Sequence, residues 1–294
     1  MADYRALYPF ASHRFDLGGV SLHYLDEGPR QAPAVVLLHG NPTWSFYWRT
    51  LIPSLSQDHR VIVPDHIGCG MSDQPQDYPY TLAQHICNLE ALLDHLRLGP
   101  LSLVMHDWGG AIGTGYAVRH AEEVQRLVVC NTAAFFEPVL YAPIRLSRAP
   151  LIGDLLVRGL NIFALGALMM GTSQRRRFTP AVRAGYLAPY CGWKQRVAIL
   201  RFVRDIPMEP HHPTRKTINE IEARLPLLLD KPLLALWGAD DPVFTVKTYL
   251  AGWQKRFPAA EVHIFENAGH YVVEDAHERI LPLLGRFLAE PAAR

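Results

Sequence analysis

Short apolar runs alternate with longer amphipathic stretches from the start of the chain to about Asn131. Ala34–Leu38, Arg60–Pro64, Leu101–Met105 and Leu127–Cys130 are rich in Val, Leu and Ile, and polar or glycine positions bound them. Runs of that kind are what strands buried on both faces of a parallel sheet look like. Val20–Leu25 instead alternates apolar and polar residues, which predicts an edge hairpin strand. Trp44–Leu55, Thr81–Leu96 and Gly109–His120 read as helices between the runs. Strand and helix in alternation predict an α/β fold with a mostly parallel sheet flanked by helices.

From about Phe135 to Pro213 the alternation stops. This stretch is rich in Pro, Arg and aromatic residues and carries helical periodicity without a convincing strand. The alternation resumes with a strand at Leu233–Trp237, a helix over Thr245–Phe257, a strand at Glu261–Phe265 and a last helix near Glu278–Leu288. The expected organisation is a core of residues 1–133 and 214–294 interrupted by a helical cap over 134–213. An insertion after a strand's carboxyl end sits over the ligand crevice of such sheets, so the cap is expected to act as a lid. Its most apolar part, Leu151–Gly171, contains Asp154 and Arg158, leaving only Gly159–Gly171 nearly apolar. That is too short to span a bilayer and reads as a buried or groove-lining helix. Arg175-Arg176-Arg177 follows directly, which keeps a membrane-surface association as the alternative.

Composition narrows the class. Hydrophobic residues make up 49% and charged residues 19%, enough for a large core and unlike a disordered chain. The net charge of +1, without basic runs long enough for a nucleic-acid footprint, predicts no nucleic-acid partner. Cys69, Cys87, Cys130 and Cys191 are far apart, which argues against a disulfide scaffold or a cysteine-rich zinc site and fits a reducing compartment. No apolar signal segment stands at Met1–Phe10, so a cytoplasmic location is expected.

The chemistry begins at Met105-His106-Asp107-Trp108-Gly109-Gly110, between an apolar strand and a helix. A nucleophile elbow has this context, a strained turn that lifts one side chain above the sheet. Asp107 stands where serine is usual, and Asp tolerates a left-handed backbone better than most residues. The plainer alternative makes Asp107 the N-cap of the next helix. A carboxylate nucleophile suits an sp³ carbon bearing a leaving group and forms an ester. Hydrolysing that ester takes a histidine to activate water, an acid to orient the histidine, and donors for the oxyanion and leaving group.

In the chain order nucleophile, acid, histidine, His270 follows the last strand in Ala268-Gly-His-Tyr271. The acid is Asp240 or Asp241, after Leu233–Trp237, with Asp241 preferred. Asn131, after the Leu127 strand, cannot supply a charge, and Glu137 is a distant reserve. Backbone N–H groups of Asn41 and Trp108 are placed for an oxyanion, and their side chains add an amide and an indole donor suited to a departing halide or other small anion.

These residues resemble the haloalkane dehalogenase branch of the α/β-hydrolase superfamily. The resemblance rests on His39-Gly-Asn-Pro-Thr-Trp-Ser-Phe-Tyr-Trp-Arg49, Pro64–Asp73, His106–Gly110, Gly238–Phe244 and Ala268–Tyr271, which span nearly the whole chain. It implies an eight-stranded, mostly parallel sheet, Asp107 as nucleophile, His270 as base, Asp241 as orienting acid and Asn41 with Trp108 as the halide-binding pair. Asn131, where other members carry glutamate, makes the set similar to the third dehalogenase subfamily. It also implies no cofactor or metal, an apolar substrate, halide as product and a tendency to self-associate. Arg183–Tyr190, Ala198–Pro207 and Asn131–Phe135 are in addition similar to the β-lactone decarboxylases of long-chain olefin biosynthesis, which share the same Asp, His and Asn–Trp set. Haloalkane dehalogenation is therefore the first expectation and cis-β-lactone decarboxylation the second, with peripheral membrane or pathway-enzyme association open. An epoxide hydrolase is a more distant alternative, which would need two proton-donating tyrosines among Tyr141, Tyr186 and Tyr190. A hydrolase fold kept only for binding is the reading from another class.

Overall fold

The computed structural model of the protein describes residues 3–290. Its strands are β1 Ser12–Asp16, β2 Ser21–Glu27, β3 Ala34–Leu38, β4 Arg60–Pro64, β5 Leu101–Asp107, β6 Val124–Thr132, β7 Leu233–Gly238 and β8 Glu261–Phe265. They form one sheet in the order β1-β2-β4-β3-β5-β6-β7-β8. β2 is antiparallel to both neighbours, and every pair from β4 to β8 is parallel. The helices are α1 Ile52–Leu55, α2 Leu82–Leu96, α3 Trp108–Ala117, α4 Ala142–Arg148, α5 Ile162–Met170, α6 Pro180–Leu187, α7 Val197–Asp205, α8 Pro213–Arg224, α9 Ala251–Arg256 and α10 Val272–Ala289.

Every residue of β3 and β5 is buried because helices cover both faces of the sheet. Val36 and Leu38 pack into one layer with Ile86 of α2, Ile112 of α3 and Ile218 of α8. Val35 and Leu37 point the other way, toward Val273, Ile280 and Leu284 of α10. Alternation between two apolar layers is why these strands are continuous apolar runs. The connections reverse direction between β4, β3 and β5, and a ligand crevice forms outside the carboxyl ends at such a switch point.

Three elements differ from the sequence expectation. β2 is not an edge strand: β1 lies outside it, in a register that pairs Ser12 with Leu25. β1 has no apolar pattern to betray it, since its residues are exposed or half-buried and a single large apolar side chain, Phe15, packs against the core and stacks on His95. Trp44–Leu55 is a 3₁₀ turn over Ser45–Trp48 followed by the short α1, because Pro53 lacks an N–H and is tolerated only in a first turn. Thr245–Phe257 similarly divides into a π-helical turn at Val246–Leu250 and α9.

Between β6 and α8 the described chain is helical, with α4, α5, α6, α7 and a π-helical turn at Asp154–Gly159. It is fastened to the core by directed hydrogen bonds. The Trp44 indole donates to the Gly185 carbonyl at 3.0 Å and the Tyr190 hydroxyl to the Thr43 carbonyl at 3.2 Å. Buried Arg49 pairs with Glu274, whose carboxylate also accepts from the Tyr186 hydroxyl at 2.5 Å. At the far end Asp205 accepts from the Leu82 N–H at 2.7 Å and from the Thr214 hydroxyl at 2.6 Å. Among the described residues no helix is long and apolar enough to cross a membrane.

Candidate active site

Asp107 ends β5 with φ +52° and ψ −124°, a conformation that favours glycine and costs about 1–3 kcal/mol elsewhere. The surroundings hold it there. A Cβ at Gly109 would meet the Leu38 and His39 carbonyls, so only glycine lets α3 start this close to β3. The Thr132 hydroxyl donates to the Asp107 carbonyl from β6. The Asp107 side chain does not cap α3. Its Oδ1 instead accepts from the Asn41 N–H at 2.6 Å, and a Cβ at Gly40 would collide with it. Burial pushes the Asp107 carboxyl above its ordinary value, outweighing His270 and the backbone N–H groups of Asn41 and Trp108, which favour the charge.

His270 lies between two carboxylates. Its Nδ1 is 2.9 Å from Asp241 Oδ2 and its Nε2 is 3.8 Å from Asp107 Oδ2. Burial disfavours the imidazolium, but Asp241, by charge and hydrogen bond, and Asp107, by charge, raise His270 above its ordinary value of 6.5. Asp241 also accepts at Oδ1 from the Val243 and Phe244 N–H groups at 2.7 and 3.1 Å. Asp240 is exposed and accepts from the Ser173 hydroxyl at 2.7 Å. Of the two sequence candidates, Asp241 alone reaches the histidine.

Asn131 has a role that residue type alone did not disclose. At φ +39° its Nδ2 donates to Asp241 Oδ2 at 2.9 Å while its Oδ1 accepts from the Gly238 N–H at 2.8 Å. It thus fixes the acid from β6, and Glu137 borders the cavity while Asp241 occupies the histidine nitrogen. Asp275 was not anticipated at all. This buried carboxylate accepts from the N–H groups of Gly269, Ser173 and Gln174 at 2.8, 2.9 and 3.1 Å, and from the Thr172 hydroxyl. It joins the loop carrying His270 to the end of α5, a link between residues about a hundred positions apart that no local motif announces. Asp275→Ala leaves the buried Gly269 N–H and Thr172 hydroxyl unpaired at roughly 1–3 kcal/mol each, so about 3 kcal/mol of unfolding free energy should be lost. Urea titration reads it, and a loss below about 1 kcal/mol would contradict the tie.

Asn41 and Trp108 both border a cavity of about 300 Å³ whose floor also includes Asp107 and His270. Its walls are apolar, with Phe136, Leu140 and Ile144 before and within α4, Phe163 and Met170 of α5, and Val203 of α7. The Asn41 amide nitrogen donates to the Ile199 carbonyl of α7 at 3.2 Å, so one of its two protons is taken and one remains. Of the three tyrosines an epoxide opening would draw on, Tyr186 and Tyr190 are buried with their hydroxyls donated to Glu274 and Thr43, and Tyr141 alone borders the cavity. This geometry can bring a carboxylate to an electrophilic carbon in an apolar chamber, with N–H donors on one side and a carboxylate-backed imidazole on the other.

An eight-stranded sheet with an acidic elbow after β5, a histidine after β8 and a helical insertion above them defines an α/β hydrolase. A model of the alpha/beta hydrolase fold family matches residues 33–276, and the chain belongs to that family. It is 43% identical to a cis-3-alkyl-4-alkyloxetan-2-one decarboxylase of Shewanella oneidensis, over 97% of this chain and 90% of that one. A Xanthomonas campestris protein of the same description is also 43% identical, over 96% of this chain and 97% of that one. A haloalkane dehalogenase of Mycobacterium marinum is 33% identical over 92% and 91%. Among solved structures, haloalkane dehalogenase DbeA from Bradyrhizobium elkani superposes with a TM-score of 0.84 at 26% identity, covering 95% of this chain and 98% of that one. The order of the two expectations is thereby reversed: these relatives favour the decarboxylase, which the sequence reading placed second, over the dehalogenase.

Proposed function

We propose that the protein decarboxylates cis-3,4-dialkyl β-lactones (cis-3-alkyl-4-alkyloxetan-2-ones) to an alkene and carbon dioxide. The observation that carries this reading is the 43% identity, over nearly the whole chain, to two proteins of that description, against 33% to the dehalogenases. The apolar cavity above Asp107 is in keeping with a substrate carrying two alkyl chains.

The proposed reaction has two steps and uses no cofactor, metal or water. One oxygen of Asp107 attacks ring carbon C4 from the side opposite the ring oxygen, whose bond to C4 breaks. The product is an alkyl ester of Asp107 and a free carboxylate on C3, with N–H donors of Asn41 and Trp108 receiving the developing charge. Inversion at C4 leaves the new ester oxygen antiperiplanar to that carboxylate. The C3–carboxylate bond then breaks, carbon dioxide leaves, the electron pair forms the C3=C4 double bond and Asp107 departs as a carboxylate. Since no rotation is needed, both alkyl groups stay on the same side and the alkene is cis. His270, held by Asp241, places positive charge near Asp107 as it leaves. In this reading residues 134–213 are a cap that shelters the cavity, and the core is 1–133 with 214–294.

A second reading is favoured by the completeness of the Asp107, His270 and Asp241 set, which decarboxylation does not need for water. With a haloalkane, Asp107 would displace halide toward Asn41 and Trp108, and His270 would activate water against the ester carbonyl. The test is paired turnover of one preparation, following alkene from a long-chain cis-β-lactone and bromide from a 1-bromoalkane. Rapid alkene formation with slow bromide release supports the proposal, and bromide release without lactone turnover overturns it.

The two reactions should also differ in pH dependence. Attack in either needs ionised Asp107, whose raised pKa means loss as pH falls through a value above 3.8. Ester hydrolysis further needs neutral His270, whose raised pKa means loss as pH falls through a value above 6.5. Steady-state bromide release should therefore fail at higher pH than alkene formation. Superimposable acid limbs in a pH–rate profile of both substrates would contradict this assignment.

A further inference from the structure

We propose that the helical insertion docks on an anionic phospholipid surface, with the mouth of the substrate cavity facing the lipid. The first observation is the position of the exposed apolar side chains. Leu151 is 83% exposed, and Ile152, Leu155, Leu160, Leu165 and Met169 are each between 43% and 57% exposed. Ile162, Leu165 and Met169 recur along one side of α5, a stripe left uncovered although the helix's opposite positions Ala164 and Leu168 are buried. Scattered apolar exposure is ordinary, but a run of this kind on consecutive elements is not.

The second observation is that this surface surrounds the cavity. Val139, Leu146, Ile162 and Met170 line the chamber above Asp107 and are themselves about half exposed, so they form its rim. A substrate leaving a hydrocarbon phase at this rim would meet apolar side chains continuously down to the carboxylate.

The third observation is charge, and it selects the occupant. Residues 134–213 carry eleven Lys and Arg against four Asp and Glu, a net of +7 in a chain whose total is +1. Arg145, Arg175, Arg176 and Lys194 are exposed and make no ion pair among the described residues. Trp193, half exposed, lies under the Arg158 guanidinium at 4.6 Å, and amphipathic indole and basic groups side by side suit a headgroup layer. A second copy of this positively charged segment would be repelled, whereas phosphate headgroups over acyl chains complement both its charge and its apolar side chains. Docking here is independent of which reaction Asp107 performs.

The experiment is co-sedimentation of the full chain with vesicles of phosphatidylcholine alone and of phosphatidylcholine with phosphatidylglycerol, at low and high salt. Binding should require phosphatidylglycerol and weaken with salt. Arg175→Glu with Arg176→Glu should lower the partition coefficient at least ~25-fold, at about fivefold for each basic charge removed. Leu151→Glu with Leu155→Glu, at positions too exposed to matter for packing, should lower it about tenfold or more. Thermal melting verifies that both pairs fold. Absence of binding to the mixed vesicles, or binding indifferent to both pairs, overturns the proposal. So does a concentration-dependent dimer that Leu151→Glu with Leu155→Glu dissociates while vesicles bind nothing, which would assign this face to contact between copies.

Discussion

Asp107→Ala is expected to lower alkene formation from a cis-β-lactone by about 10⁴-fold or more, the scale seen when a covalent nucleophile is removed. The expectation rests on geometry with no reserve. Asp107 is the carboxylate at the cavity floor, aimed by the Asn41 N–H at 2.6 Å. Asp241 lies behind the His270 ring, with both oxygens engaged by Asn131, Val243, Phe244 and His270 itself. It has no path to the substrate carbon. Glu137 borders the chamber, but no element of the elbow directs it. Asp107→Asn keeps the volume and an acceptor for the Asn41 N–H, so it separates lost nucleophilicity from lost packing. It should melt near the parent protein and still lose at least ~10³-fold in rate. Turnover within tenfold of the parent in either variant would remove Asp107 from the role.

The second large effect concerns water. In a single turnover in H₂¹⁸O, β-lactone decarboxylation should leave Asp107 unlabelled, because the ester is released by elimination. Dehalogenation should place one ¹⁸O in Asp107, because water attacks its carbonyl carbon. Mass spectrometry of the peptide containing residue 107 distinguishes the two. His270→Ala extends the contrast. With a bromoalkane it should stop at one equivalent of bromide and accumulate the alkyl ester, with the steady state down by about 10³–10⁴-fold. With the lactone the loss should be smaller, on the order of 10–100-fold, reflecting only the positive charge no longer placed near the departing carboxylate. Label in Asp107 after lactone turnover, or equal losses for both substrates in His270→Ala, would defeat the elimination step.

Several site residues were legible from residue type and spacing. A strand of apolar residues ending in His106-Asp107-Trp108-Gly109-Gly110 carries its own local signal, since strain, small neighbours and a following helix are all properties of adjacent positions. Asn41 was legible for the same reason, following the apolar run of β3, and His270 by its place after the alternating strand β8. The order of the two candidate reactions was not legible, because dehalogenation and decarboxylation start from the same attack by the same carboxylate. What separates them is whether water or a β-carboxylate completes the reaction, and the substrate decides that.

The sequence by itself determined the central parallel strands, the acidic elbow and the short list of groups around it, all set by patterns within a few residues. Only the tertiary structure decided between Asp240 and Asp241, which are adjacent in the chain but point to Ser173 and to His270 respectively. It alone showed Asn131 bracing that acid, Asp275 joining the histidine loop to the helical insertion, and Tyr186 and Tyr190 buried away from the chamber. It also placed β1 outside β2, by ladder hydrogen bonds and the packing of one side chain, Phe15, which is too little to make an apolar pattern. The physical reason is common to these cases. Apolar burial repeats with the period of the local backbone and is written along the chain, whereas a polar group's partner is chosen by direction and distance in space, between residues as far apart as 131 and 241.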